Sequence, residues 1–180
     1  MANFWIQDGE WARGGNNSVR FGDLVKPFGR KYKGMWRVFE ISENGEIMLV
    51  SDECVGEVTL EGMEGYNKGI DLLDQLCIDT IKSSKVAAVR SITCLDLKRV
   101  RKYDENLNIY RYKPDYWLAT SYICSSGVCG IHSIYDGRVM SQALYLYGGT
   151  ECKFTLGVKA VVTLRKNVEF TKTKDGYWKI

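Results

Sequence analysis

The sequence predicts an α+β domain. Three observations carry that expectation: strand signals fill the chain up to about Leu60, two helical stretches occupy the middle, and every signal after Tyr116 is β. Strands, then helices, then strands again suit segregated rather than alternating layers. At 180 residues one domain is the natural reading, running over 20–180 behind an extended arm at 1–19. The 18 glycines against 2 prolines add an expectation of many tight turns.

Taken in order, strand signals run over Val19–Val25, Met35–Ile41 and Glu46–Ser51, and Val55–Leu60 alternates as a further short strand. Asn44-Gly45 reads as a hairpin turn, since both residues tolerate positive φ. A helix is expected from about Asn67 to Lys82. Ile70, Leu73, Cys77 and Ile81 recur there at steps of three and four, and Leu72 and Leu76 widen the stripe. Asp71, Asp74 and Asp79 fall off it. A shorter helix follows Thr93, where Thr93 and Asp96 approximate a capping box, and it carries Leu95, Leu97 and Val100 toward Tyr103. Residues 104–114 read as loop. Strands are then expected at Tyr116–Ile123, Gly130–Tyr135, Arg138–Tyr147, Gly157–Leu164 and Glu169–Thr171, with Asp136-Gly137 as a second hairpin turn.

Composition excludes several classes. No basic leader and no long apolar run precede the body of the chain, so neither a secretory signal nor a membrane helix is expected, and the six cysteines read as reduced thiols. Synthesis and folding in a cytoplasm are expected. Net charge is only +3, but its distribution is uneven. Lys26, Arg30, Lys31, Lys33 and Arg37 come without an intervening acid, residues 40–74 are acidic apart from Lys68, and residues 82–102 are basic again. Such blocks suit complementary patches or a solvated face of mixed sign. The 11 tyrosines and 5 tryptophans exceed what a core of this size needs, which leaves some for an interface. Phe4, Trp5 and Trp11 give the arm a means of docking to a neighbour.

A set of short segments recurs in order along the chain: Gly34-Met35-Trp36-Arg37-Val38, Ile47-Met48-Leu49-Val50-Ser51, Gly65-Tyr66-Asn67-Lys68-Gly69, Val89-Arg90-Ser91-Ile92, Tyr116-Trp117-Leu118-Ala119 and Gly157–Leu164. This ordered set resembles a family of uncharacterised phage and gut-Firmicute proteins related to the formylglycine-generating enzymes and the C-type-lectin-like fold. The resemblance implies a C-type-lectin-like domain: two helices, a twisted, mostly antiparallel sheet and a long loop-rich C-terminal β region. It also implies a setting in phage or prophage particles, with target recognition by loops between Ser121 and Glu151. Tyr122, His132, Tyr135, Arg138, Tyr145 and Tyr147 are the candidate contact residues there, since Tyr among Ser and Gly suits adaptable recognition.

Three functions follow as expectations. The first is a non-enzymatic binding or structural module of a tail, fibre or decoration type, without cofactor, engaging a protein partner or itself. The second is an intracellular phage protein that inhibits a host defence factor such as a nucleic-acid-guided nuclease. Its contact surface is the basic set Arg90, Lys98, Arg99, Arg101 and Lys102, with Tyr103, Tyr110 and Tyr112 nearby for stacking. The third is a copper-dependent thiol oxidase, because the resembled enzymes hold copper on a cysteine pair spaced as Cys124 and Cys129 are; the Arg-rich context after the second cysteine is missing here. The single histidine, His132, leaves little room for a nucleophilic triad. The Glu-Pro-Asn and Trp-Asn-Asp signatures of calcium-dependent sugar binding are absent, as are phosphate-loop and zinc-ribbon spacings.

Overall fold

The computed structural model describes residues 19–101 and 114–180. It is α+β, with thirteen strands in two mixed sheets and two helices among the described residues. The arm and the loop with Tyr103, Tyr110 and Tyr112 lie outside the described residues. The chain divides into two compact units that interleave in sequence. One takes residues 19–53, 80–89 and 161–180; the other takes 54–79, 90–101 and 114–160.

The first unit carries a seven-stranded sheet. In sheet order its strands are β12 (Thr171–Lys172), β13 (Trp178–Lys179), β1 (Leu24–Val25), β2 (Trp36–Ile41), β3 (Ile47–Ser51), β11 (Ala160–Leu164) and β5 (Val86–Ser91). Its central strands are apolar on both faces, as strands covered on both sides must be: Leu49 and Val50, Val161 and Val162, and Val38 and Phe39 are all buried. Trp36 stacks on Phe28 at 5.0 Å and meets Tyr32 edge-on at 5.1 Å. Two of the early basic residues are paired within this unit. Arg37 donates to Asp52 Oδ1 at 2.8 and 3.1 Å, and Lys26 pairs with Asp175 at 2.9 Å.

Several expectations change here. The strand expected at Val19–Val25 shrinks to two residues. Gly22, at φ +84°, turns the chain, and Asp23 is tied to Arg20 on one side and to the Trp178 indole on the other. The hairpin expected at Asn44-Gly45 forms, with Gly45 at φ +78°. The Gly45 amide donates to Ser42 O, and Ser42 N donates to Glu46 O. The same pair of bonds recurs at Cys124–Val128 and Thr173–Tyr177, each with a glycine at positive φ in the fourth place. Ser-x-Asn-Gly, Cys-x-Ser-Gly and Thr-x-Asp-Gly are thus one turn used three times, a three-residue loop closed by a left-handed glycine.

The second unit carries a six-stranded sheet in the order β4 (Gly56–Glu61), β10 (Lys153–Val158), β6 (Tyr116–Ile123), β7 (Cys129–Tyr135), β8 (Arg138–Leu146) and β9 (Thr150–Glu151). All neighbours are antiparallel except β10 and β6. Asp136 and Gly137 both take positive φ between β7 and β8, as a two-residue turn requires.

The helix α1 (Gly62–Thr80) begins five residues before the expected start. The missed signal is a glycine stripe. Gly62, Gly65, Gly69, Leu73 and Cys77 form its buried side, and a Cβ on Gly65 or Gly69 would run into Leu60, or into Leu60 and Ile131. Close packing, rather than apolar bulk, starts this helix. Leu72, expected in the core, is instead exposed with Ile78, and Ile70 is half-buried. The helix α2 (Cys94–Arg101) has the expected reciprocal cap: Thr93 N donates to Asp96 Oδ2 and Asp96 N donates to Thr93 Oγ1. Leu97 and Val100 are buried, but Leu95 is exposed.

Two corrections concern strands. The apolar run Gly157–Leu164 is not one strand. It breaks at Lys159, so β10 lies in one sheet and β11 in the other. Lys159 itself is buried at 2% exposure, with its Nζ 5.3 Å from the Tyr116 ring centroid. In addition, β5 was not anticipated, because Val86–Ser91 lacks alternation and is edged by Lys85 and Arg90.

Candidate binding face

Tyr122, His132, Tyr135, Arg138 and Tyr145 sit on strands, and Tyr147 lies in a short connection rather than a long loop. The connections are a tight turn at 124–128, two residues at 136–137 and three at 147–149. The C-terminal region is therefore strand-rich rather than loop-rich, and what it presents is sheet surface.

Register decides which side chains share a side, since residues directly opposite on neighbouring strands point the same way. Tyr122 stands opposite Gly130, Gly130 opposite Ala143, and His132 opposite Ser141. These positions form one face. On it the Tyr122 and His132 rings lie 5.2 Å apart at 40°, and His132 Nδ1 is 3.2 Å from Ser141 Oγ. A Cβ on Gly130 would collide with the Gln142 carbonyl and the Tyr122 ring, so this glycine lets the tyrosine lie across the strand. Partial burial, reinforced by the nearby Cys124 and Cys129, raises the Tyr122 phenol above its ordinary value and keeps it a neutral donor. Val139, two residues before Ser141, extends the same face toward the β7–β8 turn. The opposite face of β7 points at the helix, where Ile131 meets Gly69.

The remaining candidates are less concentrated. Tyr145 stands opposite Cys129 and Glu151 and is half-buried. Tyr135 and Arg138 flank the two-residue turn and are exposed, while Tyr147 is 85% exposed next to the 124–128 turn. Sequence reading missed Ile123, Val139, Met140 and Ser141. The available signal was the β-prone run Arg138-Val-Met-Ser-Gln with no acid and no proline. Among the described residues, nine large apolar side chains are exposed. Five of them (Ile123, Tyr135, Val139, Met140, Tyr147) fall within this one segment.

Of the expected basic set, Arg90 is engaged within the fold. Arg90 points a fork at Asp96, Nη2 to Oδ1 at 2.8 Å and Nη1 to Oδ2 at 2.5 Å, and Asp96 also accepts from Thr93 N and Oγ1. Asp74 accepts from Ser91 N and Oγ at 2.7 and 2.6 Å. Asp96 thus has four donors around it, and the Arg90 fork is engaged by its two oxygens. Lys98 and Arg99 remain exposed on α2. The Arg101 side chain and Lys102 lie outside the described residues.

The two cysteines of the Cys124/Cys129 pair differ in setting. Cys129 stands opposite Ile123 on β7, and Cys124 opens the 124–128 turn, where its amide donates to Val128 O. Cys129 is buried and Cys124 exposed. All six cysteines are free thiols, and no group of three or more metal-ligating side chains occurs among the described residues. Among those residues, too, no helix is long and apolar enough to cross a membrane.

Against known proteins, no family model, no curated protein and no solved structure matches this chain.

Proposed function

We propose that this chain is a non-enzymatic binding module whose contact surface is the open face of β6, β7 and β8. The observation that carries the reading is the half-buried Tyr122 ring against His132, with the exposed Val139 on the same face and the exposed Tyr147 beside the 124–128 turn. Tyrosine and histidine offer apolar rings and polar tips together, which suits a protein partner bound at moderate polarity. Within this reading the domain is C-type-lectin-like, and its setting is a phage or prophage particle. The α+β order and the resemblance of the ordered segments support that assignment. The inhibitor reading keeps only Lys98 and Arg99 as exposed described cations on α2, since Arg90 is engaged by Asp96.

Affinity capture from host extract and from particle preparations, with wild-type and variant proteins side by side, tests the proposal. A discrete partner retained by wild type is expected to be lost from Tyr122→Ala/Val139→Asp at unchanged thermal stability. It is expected to be kept by Leu72→Asp/Ile78→Asp, which alters the other exposed apolar positions. Capture that survives the first variant and fails in the second overturns the reading.

A further inference from the structure

The strand β8 is a sheet edge over most of its length. On one side it pairs with β7 from Tyr135↔Arg138 to Cys129↔Tyr145. On the other it pairs with β9 only at Tyr145 and Leu146, and Leu144 O accepts from Cys152 N. From Arg138 to Ala143 that second side has no strand against it among the described residues. Val139 is 55% and Met140 45% exposed although they point to opposite faces, so both faces of the strand stand clear at this end.

Edges of this kind are usually guarded, because unpaired amides and carbonyls invite another strand. The other edges here follow that rule. Edge strand β4 carries Glu57 and Glu61, β12 is two residues with Lys172, and β5 is bracketed by Lys85 and Arg90. The open part of β8 has no proline, no acid, no lysine and one arginine at its very end.

We infer that β8 pairs antiparallel with β8 of a second copy of this chain, across a two-fold axis at Met140. The symmetry limits the register. An antiparallel pair about a two-fold perpendicular to the sheet keeps each face on its own side, so opposed residue numbers must sum to an even value. The register centred on Met140 sets Val139 opposite Ser141 and Arg138 opposite Gln142, and it lies wholly within the open stretch. Centring on Ser141 instead sets Arg138 against Leu144, whose carbonyl is already taken. In the Met140 register no charge faces a like charge, and Met140 meets its own copy at the axis. The joined sheet places two copies of the Tyr122–His132–Ser141 face side by side. The inference deepens the binding reading by naming a partner, but it does not depend on what the face binds.

A charge exchange at the axis tests it, read by light scattering and sedimentation over a concentration series. Wild type is expected to be dimeric. Met140→Lys and Met140→Glu, each changing an exposed side chain, are expected to weaken the dimer by on the order of tenfold or more, because like charges then face each other. An equimolar mixture of the two variants is expected to dimerise again. A monomeric wild type, variants that dimerise as tightly as wild type, or a mixture that stays monomeric would each overturn the inference. Any of these leaves the capture experiment free to succeed or fail on its own.

Discussion

Asp96 shows how a single carboxylate organises its surroundings. Its side chain is 2% exposed against 35% for Arg90, so the pair is held from below by burial and closed from above by the guanidinium. Asp96→Ala removes the acceptor for both Arg90 and Thr93 and opens the cap of α2. The expected loss is about 3 kcal/mol, the scale for breaking a largely buried ion pair, read by chemical denaturation; Asp96→Asn should lose less, because the Thr93 bonds survive. Cys77 is the opposite case, a group kept neutral. Burial, and then the charge of Asp74, lifts its thiol from 9.0 to about 12, with Arg90 opposing. The folded value lies above the unfolded one, so the contribution is intact below pH 9 and is lost as the pH rises toward 12. Stability should fall over that window, and Cys77→Ala should flatten the fall relative to wild type. Thiol labelling at pH 8 should find Cys124 first and Cys77 last, and Cys124→Ser should remove the fast phase.

Elements here are set by close approach as much as by apolar bulk. The first helix buries three glycines in its first turns, and at Gly69 an added methyl would meet Ile131 and Leu60. Glycine to alanine within a helix ordinarily stabilises by about 1 kcal/mol. Overpacking reverses that sign, so Gly69→Ala is expected to cost about 1–2 kcal/mol net. Asn67→Ala, on the exposed side, should stabilise by a few tenths of a kcal/mol. A melting series on the two variants separates the effects. The same logic explains Gly130 under the Tyr122 ring. The recurring turn is a different case, since Gly45 stands in open space and is required only for its backbone conformation.

At the scale of the whole molecule, the two units are woven from the same chain in alternation. The third segment of the first unit arrives only after Lys159, bringing the central strand β11 and then β13, where Trp178 N–H bonds Asp23 and Trp178 O accepts from Lys26 N. A chain ending at Lys159 lacks the strand that β3 pairs with, and it also lacks the partner of β1. Such a chain is expected to leave β2 amides unprotected in hydrogen exchange and to shift Trp36 emission toward that of an exposed indole. Protection equal to that of the full chain would show that β11 is dispensable.

Sequence alone determined what local chemistry dictates. The Thr93–Asp96 cap, the Asp136-Gly137 turn, the bounds of Tyr116–Ile123 and the burial of Leu73, Cys77 and Ile81 follow from spacing and backbone preference, and tertiary context did not override them. Only the tertiary structure decided the rest. An apolar run such as Gly157–Leu164 carries no mark of which sheet each half joins, so the break at Lys159 was invisible. The pairing of Arg90 with Asp96 ties one residue of the expected basic set into the fold, because a charge's partner depends on distance in space. Which face of the β6–β8 meander stands open, and that β8 ends the pairing, depend on where a helix and a two-residue strand happen to lie, and no periodicity in one strand encodes its neighbour.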